Sequence, residues 1–239
     1  MKNLYQDILA SISQKKKLLA VLIDPDKMAI EKASDFIENV NKSIATHIFI
    51  GGSSVADTAS EKLVKEIKSL TDLPIILFPG DVNQITNEAD ALLFLSLISG
   101  RHPDYLIGKH VESVSKLRKT NLEVIPTGYI LIENGKETSV QRVTGTLPLS
   151  RQSTQIISDT AKAGELLGMK LIYLEAGSGA MHPVSAEIIS TVKQDLNIPL
   201  IVGGGIRNKE QLDKAYKAGA DMVVIGTAFE EDESFLNEL

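Results

Sequence analysis

Apolar, β-rich runs recur along the chain: Leu18–Ile23, His47–Ile50, Pro74–Phe78, Ala91–Ile98, Glu123–Ile132, Leu171–Leu174, Pro199–Val202 and Met222–Ile225. Most lack polar alternation, the pattern of parallel strands covered on both faces. Helix-patterned stretches separate most of them, at Ala29–Val40, Val55–Leu70, Tyr105–Lys119, Ser153–Leu167, Ser185–Leu196 and Lys209–Ala218. Eight strands with intervening helices predict an α/β fold closed as a (β/α)8 TIM barrel. Asp72-Leu73-Pro74 and Asn197-Ile198-Pro199 each end a helix and admit a strand, because proline disfavours helix in the residue before it. Gly219 is placed to cap the last of these helices. One connection is short. Only Asp81–Asp90 separates strands three and four, less than a parallel crossover usually takes. The third helix is therefore expected to be missing or irregular, leaving an opening in the outer ring.

The length of 239 residues fits one such barrel, typically roughly 250, and no linker or low-complexity run divides it. Residues 1–239 are read as one barrel domain. The net charge of −6 gives no electrostatic footprint for nucleic acid. The one basic run, Lys15-Lys16-Lys17, reads as a solvated helix end before the first strand. Cysteine is absent, which excludes disulfides, thiolate catalysis and cysteine-ligated metals. No signal-peptide pattern appears, and no apolar run reaches the roughly 18 residues of a membrane span. A cytoplasmic protein is expected, with lipid handled in a groove or at a peripheral membrane contact.

Chemistry in this fold sits at the carboxyl ends of the strands, where the loops after strands seven and eight often bind phosphate. Those ends read Gly203-Gly204-Gly205-Ile206-Arg207 and Gly226-Thr227, and strand six ends in Tyr173-Leu174-Glu175-Ala176-Gly177-Ser178-Gly179-Ala180. Glycine lets the backbone approach an anion closely, and helix-start amides donate to phosphate oxygens. One glycine pair alone also fits a tight turn. Three on consecutive strand ends point to phosphate. Arg207 is either a further phosphate contact or a solvent-facing residue.

Strand one ends in Asp24-Pro25-Asp26-Lys27 and strand two in Gly51-Gly52-Ser53-Ser54. Asp24 directly follows an apolar run, which puts it at the barrel mouth. One carboxylate, one hydroxyl and substrate phosphates make an oxygen set suited to Mg²⁺. The alternative is that Asp24 and Ser53 are helix caps. A mouth with backbone amides on one side and carboxylate on the other suggests two anionic substrates, one free and one magnesium-bound. A metal-bound diphosphate is a good leaving group.

Other chemistry is weakly supported. Schiff-base catalysis needs a lysine at a strand's carboxyl end. Lys170 begins strand six instead, and Lys27 sits between Asp24 and Asp26. His47 reads as structural, His102 and His110 as flanking a helix, and His182 as a helix-start residue near the site. No two have zinc-ligand spacing. Tryptophan is absent, so stacking on a nucleobase or flavin is not indicated. Apolar side chains around strands three to five, among them Phe78, Phe94, Leu97 and Tyr105, are core residues or the wall of a hydrocarbon groove beside the reduced third helix.

Taken in order, Leu22–Lys27, Gly51-Gly52-Ser53, Tyr173–Gly179, Gly203–Arg207 and Gly226-Thr227 resemble the geranylgeranylglyceryl phosphate synthase family, with its related heptaprenylglyceryl phosphate synthases. The resemblance covers nearly the whole chain, and the strand-six motif is its most specific element. It implies a prenyltransferase that joins sn-glycerol 1-phosphate to a polyprenyl diphosphate, geranylgeranyl being the expected donor, and releases diphosphate. It further implies Mg²⁺ held by Asp24 and Ser53. Glycerol phosphate would be bound by Tyr173, Leu174, Glu175, Ala176, Gly177, Ser178, Gly179, Gly204, Gly205, Gly226 and Thr227. A reduced third helix, a dimeric or hexameric homo-oligomer and an aromatic chain-length limiter near Tyr105 are also implied. The expected catalytic set is Glu175 as general base, Tyr173 orienting the acceptor and Asp24 managing the metal. Two other readings stand beside it: a metal-independent phosphate-binding barrel isomerase, and a non-catalytic phospholigand-binding barrel.

Overall fold

The computed structural model describes residues 3–52, 58–231 and 235. Eight parallel strands pair in sequence order and close into a barrel, the last bonded to the first. They are β1 (Leu18–Ile23), β2 (His47–Ile50), β3 (Ile75–Leu77), β4 (Ala91–Leu97), β5 (Glu123–Leu131), β6 (Leu171–Glu175), β7 (Leu200–Gly203) and β8 (Met222–Ile225). Each strand splits its side chains between two apolar environments. In β1, Leu18 and Ala20 fill the barrel interior, while Leu19, Val21 and Ile23 pack outward under the helices. Both faces are dry, so the sequence shows continuous apolar runs. Five strands differ from expectation by one residue at one or both ends: β3 begins after Pro74 and stops at Leu77, β4 stops at Leu97, β5 at Leu131, β6 extends through Glu175, and β7 begins after Pro199 and extends through Gly203.

The outer ring comprises α2 (Ile30–Lys42), α3 (Ala59–Lys68), α4 (Lys109–Leu117), α6 (Thr154–Leu166), α7 (Ala186–Asp195) and α8 (Lys209–Ala218). An amino-terminal helix, α1 (Leu4–Ser13), plugs the end opposite the strands' carboxyl termini. It buries Leu4 and Ile8 and is pinned by the Glu123 carboxylate, which accepts from the Leu4 and Tyr5 amides. The lysine run follows α1 as expected, and Lys17 donates to the Tyr216 and Ala220 carbonyls. Gly219 caps α8 with φ +117, a conformation that disfavours any residue with a β-carbon.

The stretch expected as one helix over Tyr105–Lys119 is two pieces. A π-helical turn at Asp104–Gly108 leads into α4, and His110 lies inside α4, buried, rather than at its flank. His182 also departs from expectation. Helix α7 starts at Ala186 with Ser185 as its cap, and His182 sits before it against Gly135. Two short helices were not anticipated: α5 (Ser139–Thr144) and α9 (Thr227–Glu231). The third crossover is reduced as expected. It holds only a 3₁₀ turn at Val82–Gln84, started by Asp81 accepting from the Val82 amide. Gln84, buried, exchanges two hydrogen bonds with the Gly52 backbone and ties this turn to the loop after β2.

Candidate active site

At the carboxyl ends of the strands, three rings form the floor of the mouth. Phe78, Tyr129 and Tyr173 meet with centroids 5.9, 5.3 and 5.4 Å apart. Around them the mouth is lined by Asp24, Glu175, Gly177, Ser178, Gly179, Gly204, Gly205, Arg207, Gly226 and Thr227. Residues far apart in sequence thus converge as the strand-end reading expected. Ser178 and Thr227 touch through their hydroxyls at 2.9 Å, joining the loops after β6 and β8. Leu174 and Ala176 do not reach the mouth. Their side chains pack into the outer core, and their backbones are engaged in the β5–β6–β7 ladder and its extension. Ser53 lies outside the described residues.

Glycine is required at 204 for a steric reason. Its φ is +84, and a β-carbon there would overlap the Glu175 carboxylate and stand 2.6 Å from the Gly177 nitrogen. The β6 and β7 loops therefore pack backbone to backbone, leaving room for an anion only because both are glycine-rich.

Glu175 is 6% exposed. Burial raises its pKa to about 7, against partial offsets from the Gly177 amide, which donates to Oε1 at 2.5 Å, and from Tyr173. Carboxylic acid and carboxylate are thus both accessible near neutral pH, as a general base requires. The Tyr173 hydroxyl is buried and finds no hydrogen-bond partner of good geometry, although it faces Glu175 closely enough that each perturbs the other's ionisation. An orphan buried hydroxyl at the mouth is a group awaiting a partner.

On the opposite side, Asp24 Oδ1 accepts from the Asp26 amide at 3.1 Å, and its Oδ2 lies 3.8 Å from Lys27 Nζ. Desolvation nevertheless leaves its pKa raised. It is not the cap of α2, whose cap position is Ala29. Gly52 packs against the same carboxylate, where a β-carbon would stand 2.9 Å from Oδ1. A half-buried carboxylate with one distant cation suits a hard cation that brings its own waters and phosphate oxygens. Among the described residues no cluster of three His, Asp or Glu side chains offers a closed metal cage.

The segment after β5 also builds the site. Asn134, buried, donates to the Ala176 carbonyl, and Thr138 packs on Gly177. Thr138 and Gln141 form a capping box that starts α5 and brings Ser139, Val140, Arg142 and Val143 to the mouth. Sequence reasoning passed over this polar stretch. The Thr138-x-x-Gln141 spacing and Gly145 beyond it were the available signal.

A second, apolar cavity continues from the mouth. Its walls are Phe78, Pro79 and Val82 beside the reduced third crossover, Leu92 and Phe94 of β4, and Tyr105 and His110 on the other side. Gly52, Phe78, Tyr129, Val140 and Val143 line both compartments. Burial lowers the His110 pKa, and the ring packs edge-on against Phe94 at 4.3 Å.

A polar, glycine-rich mouth opening into a hydrocarbon-walled groove defines a barrel enzyme for a substrate that is part anion and part apolar chain. Comparison with known proteins gives the particular family. Residues 11–239 match the PcrB family, and the chain belongs to it. It is 56% identical over 233 residues to geranylgeranylglyceryl phosphate synthase of Zunongwangia profunda, covering 98% of this chain and 99% of that one. It is 43% identical over 218 residues to the enzyme of that name from Pyrococcus furiosus, covering 91% and 86%. The crystal structure of (S)-3-O-geranylgeranylglyceryl phosphate synthase from Thermoplasma acidophilum, in complex with its substrate sn-glycerol-1-phosphate, superposes with a TM-score of 0.92 at 33% identity, over 99% of this chain and 95% of that one. The chain is accordingly a prenyltransferase of ether-lipid synthesis, and neither the isomerase nor the silent-barrel reading is favoured.

Proposed function

We propose that this chain, acting as one barrel domain, transfers a polyprenyl group, geranylgeranyl by preference, from its diphosphate to sn-glycerol 1-phosphate with release of diphosphate. The observation that carries this is the shared wall. The phosphate mouth and the apolar groove meet along Phe78, Tyr129, Val140 and Val143, so an acceptor in one and a prenyl chain in the other present their reacting ends together. Such placement supplies the positional advantage of an intramolecular reaction.

Gly177, Ser178, Gly179, Gly204, Gly205, Gly226 and Thr227 cradle the acceptor phosphate, with Arg207 at the rim. Tyr173 donates its orphan hydroxyl to the acceptor. Glu175 takes the proton of the attacking glycerol hydroxyl. The oxygen then bonds to the prenyl C1 as the bond from C1 to diphosphate breaks, and the proton remains on Glu175. Asp24, with Ser53, would hold Mg²⁺. A bound Mg²⁺ there supplies charge neutralisation for the diphosphate leaving group. Leu174 and Ala176 act through the backbone alone.

Self-association into a dimer or hexamer is consistent with the exposed Ile156, Leu166 and Leu167 on and just beyond α6. No helix among the described residues is long and apolar enough to cross a membrane, and we place the chain in the cytoplasm with at most a peripheral membrane contact.

Transfer of label from geranylgeranyl diphosphate into organic extract tests the reading. It should require sn-glycerol 1-phosphate and stop with EDTA. Label transfer insensitive to EDTA would contradict the magnesium assignment, and no transfer at all would contradict the function.

A further inference from the structure

We propose that Lys109 and Asp81, which line the groove but not the mouth, form a clasp over the apolar groove, and that this clasp selects long prenyl donors by roofing the part of the chain beyond the wall that groove and mouth share. The clasp rests on the function proposed above and goes beyond it by assigning two polar residues to hydrocarbon recognition.

The groove exists because the crossover between β3 and β4 carries a 3₁₀ turn instead of a helix. The missing element leaves one side of β4 uncovered. Two lysines of α4 reach across that gap. Lys109 Nζ lies 3.0 and 3.3 Å from the two Asp81 carboxylate oxygens, and both residues line the groove, from opposite walls. Two turns further along α4, Lys116 Nζ donates to the Val82 and Asn83 carbonyls, each at 3.2 Å. Lys109 also lies 3.5 Å from Glu112 on its own helix, which holds the ammonium at the rim.

A lysine stem is four methylenes long and packs on apolar surface while its head stays wet. Lys109 therefore offers hydrocarbon to the groove beneath and charge to the solvent above. Its side chain is 34% exposed and that of Asp81 is 48% exposed. A pair this accessible is a weak tie. Weakness suits the task, since the clasp must open for each donor to enter and each product to leave. Phe94 and Val82 likewise line the groove and not the mouth, so a donor packs against the stem only if its chain extends past the shared wall.

The test compares geranyl and geranylgeranyl diphosphates as donors for wild type, Lys109→Ala, Lys109→Met and Asp81→Ala, with sn-glycerol 1-phosphate saturating. Lys109→Ala should raise KM for the longer donor by about fourfold for each methylene of the stem that no longer covers the chain. Its kcat should stay within a factor of about two, and KM for geranyl diphosphate should not change. Lys109→Met, which keeps the stem, should restore most of the KM, and Asp81→Ala should give an intermediate value. Equal shifts for both donors, a loss confined to kcat, or no shift in any variant would overturn the clasp. A wild type inactive with both donors would instead overturn the proposed function on which it rests.

Discussion

The Gly177 amide donates to the Glu175 carboxylate at 2.5 Å, within a pocket that admits almost no water to either group. That single bond orients the carboxylate, while burial holds its pKa at about 7. The balance lets the carboxyl group both hold and release a proton near neutral pH, as the proposed base role requires.

Replacing Glu175 with Gln keeps the acceptor for the Gly177 amide and removes the base. Turnover should fall by about 10²- to 10⁴-fold, with KM for glycerol phosphate changed less than about threefold. In the wild type, log kcat should decline with unit slope as pH falls below about 7. Steady-state kinetics across pH checks both. Unchanged turnover would remove Glu175 as the base.

The same substitution should stabilise the fold at high pH. Folding raises the Glu175 pKa from 4.5 to about 7, so the neutral form is the one the fold favours. Its contribution is full below pH 4.5 and is lost as pH rises through 7, a difference of about 3 kcal/mol. Gln is neutral throughout. Glu175→Gln should therefore unfold at higher denaturant than wild type at pH 8 and match it near pH 4. Chemical denaturation at the two pH values reads the difference, and equal stabilities at both would contradict the buried-carboxylate account.

Tyr173→Phe should change stability little, because the buried hydroxyl approaches Glu175 but makes no hydrogen bond of good geometry. It should still lower kcat/KM by about tenfold, the value of one hydrogen bond made to substrate. A clear loss of stability with normal kinetics would assign the hydroxyl a structural role.

Gly204→Ala meets both a positive φ and the Glu175 carboxylate. It should destabilise the protein by about 1 to 3 kcal/mol and weaken glycerol phosphate binding more than donor binding. Calorimetric titration with each substrate separates the two.

Asp24→Asn should raise the Mg²⁺ concentration needed for half-maximal activity while the thermal midpoint moves little. An unaltered metal dependence would remove Asp24 from the ligand set.

Much of this was legible in the chain. The eight apolar runs became eight strands because each is dry on both faces, and the short Asp81–Asp90 connection announced the reduced helix. Strand-end glycines marked the mouth because backbone approach needs them. What escaped depended on long-range packing. Helix α5 is polar and only six residues long, so no periodicity reveals it; it is held by Thr138 on Gly177 and by Asn134 on Ala176. His110 looked like a flanking residue until the π-helical turn before α4 placed it inside the wall of the groove. That Leu174 and Ala176 turn away from the mouth follows from the register of β6, which a motif does not display.

The most direct measurement is the mass of the product formed from geranylgeranyl diphosphate and sn-glycerol 1-phosphate in the presence of Mg²⁺. Wild type should yield the mass of the mono-ether, glycerol phosphate plus one geranylgeranyl group less one hydrogen, and Glu175→Gln should not. Recovery of both reactants unchanged, or of a glycerol phosphate altered without gain of a prenyl group, would contradict the proposed transfer.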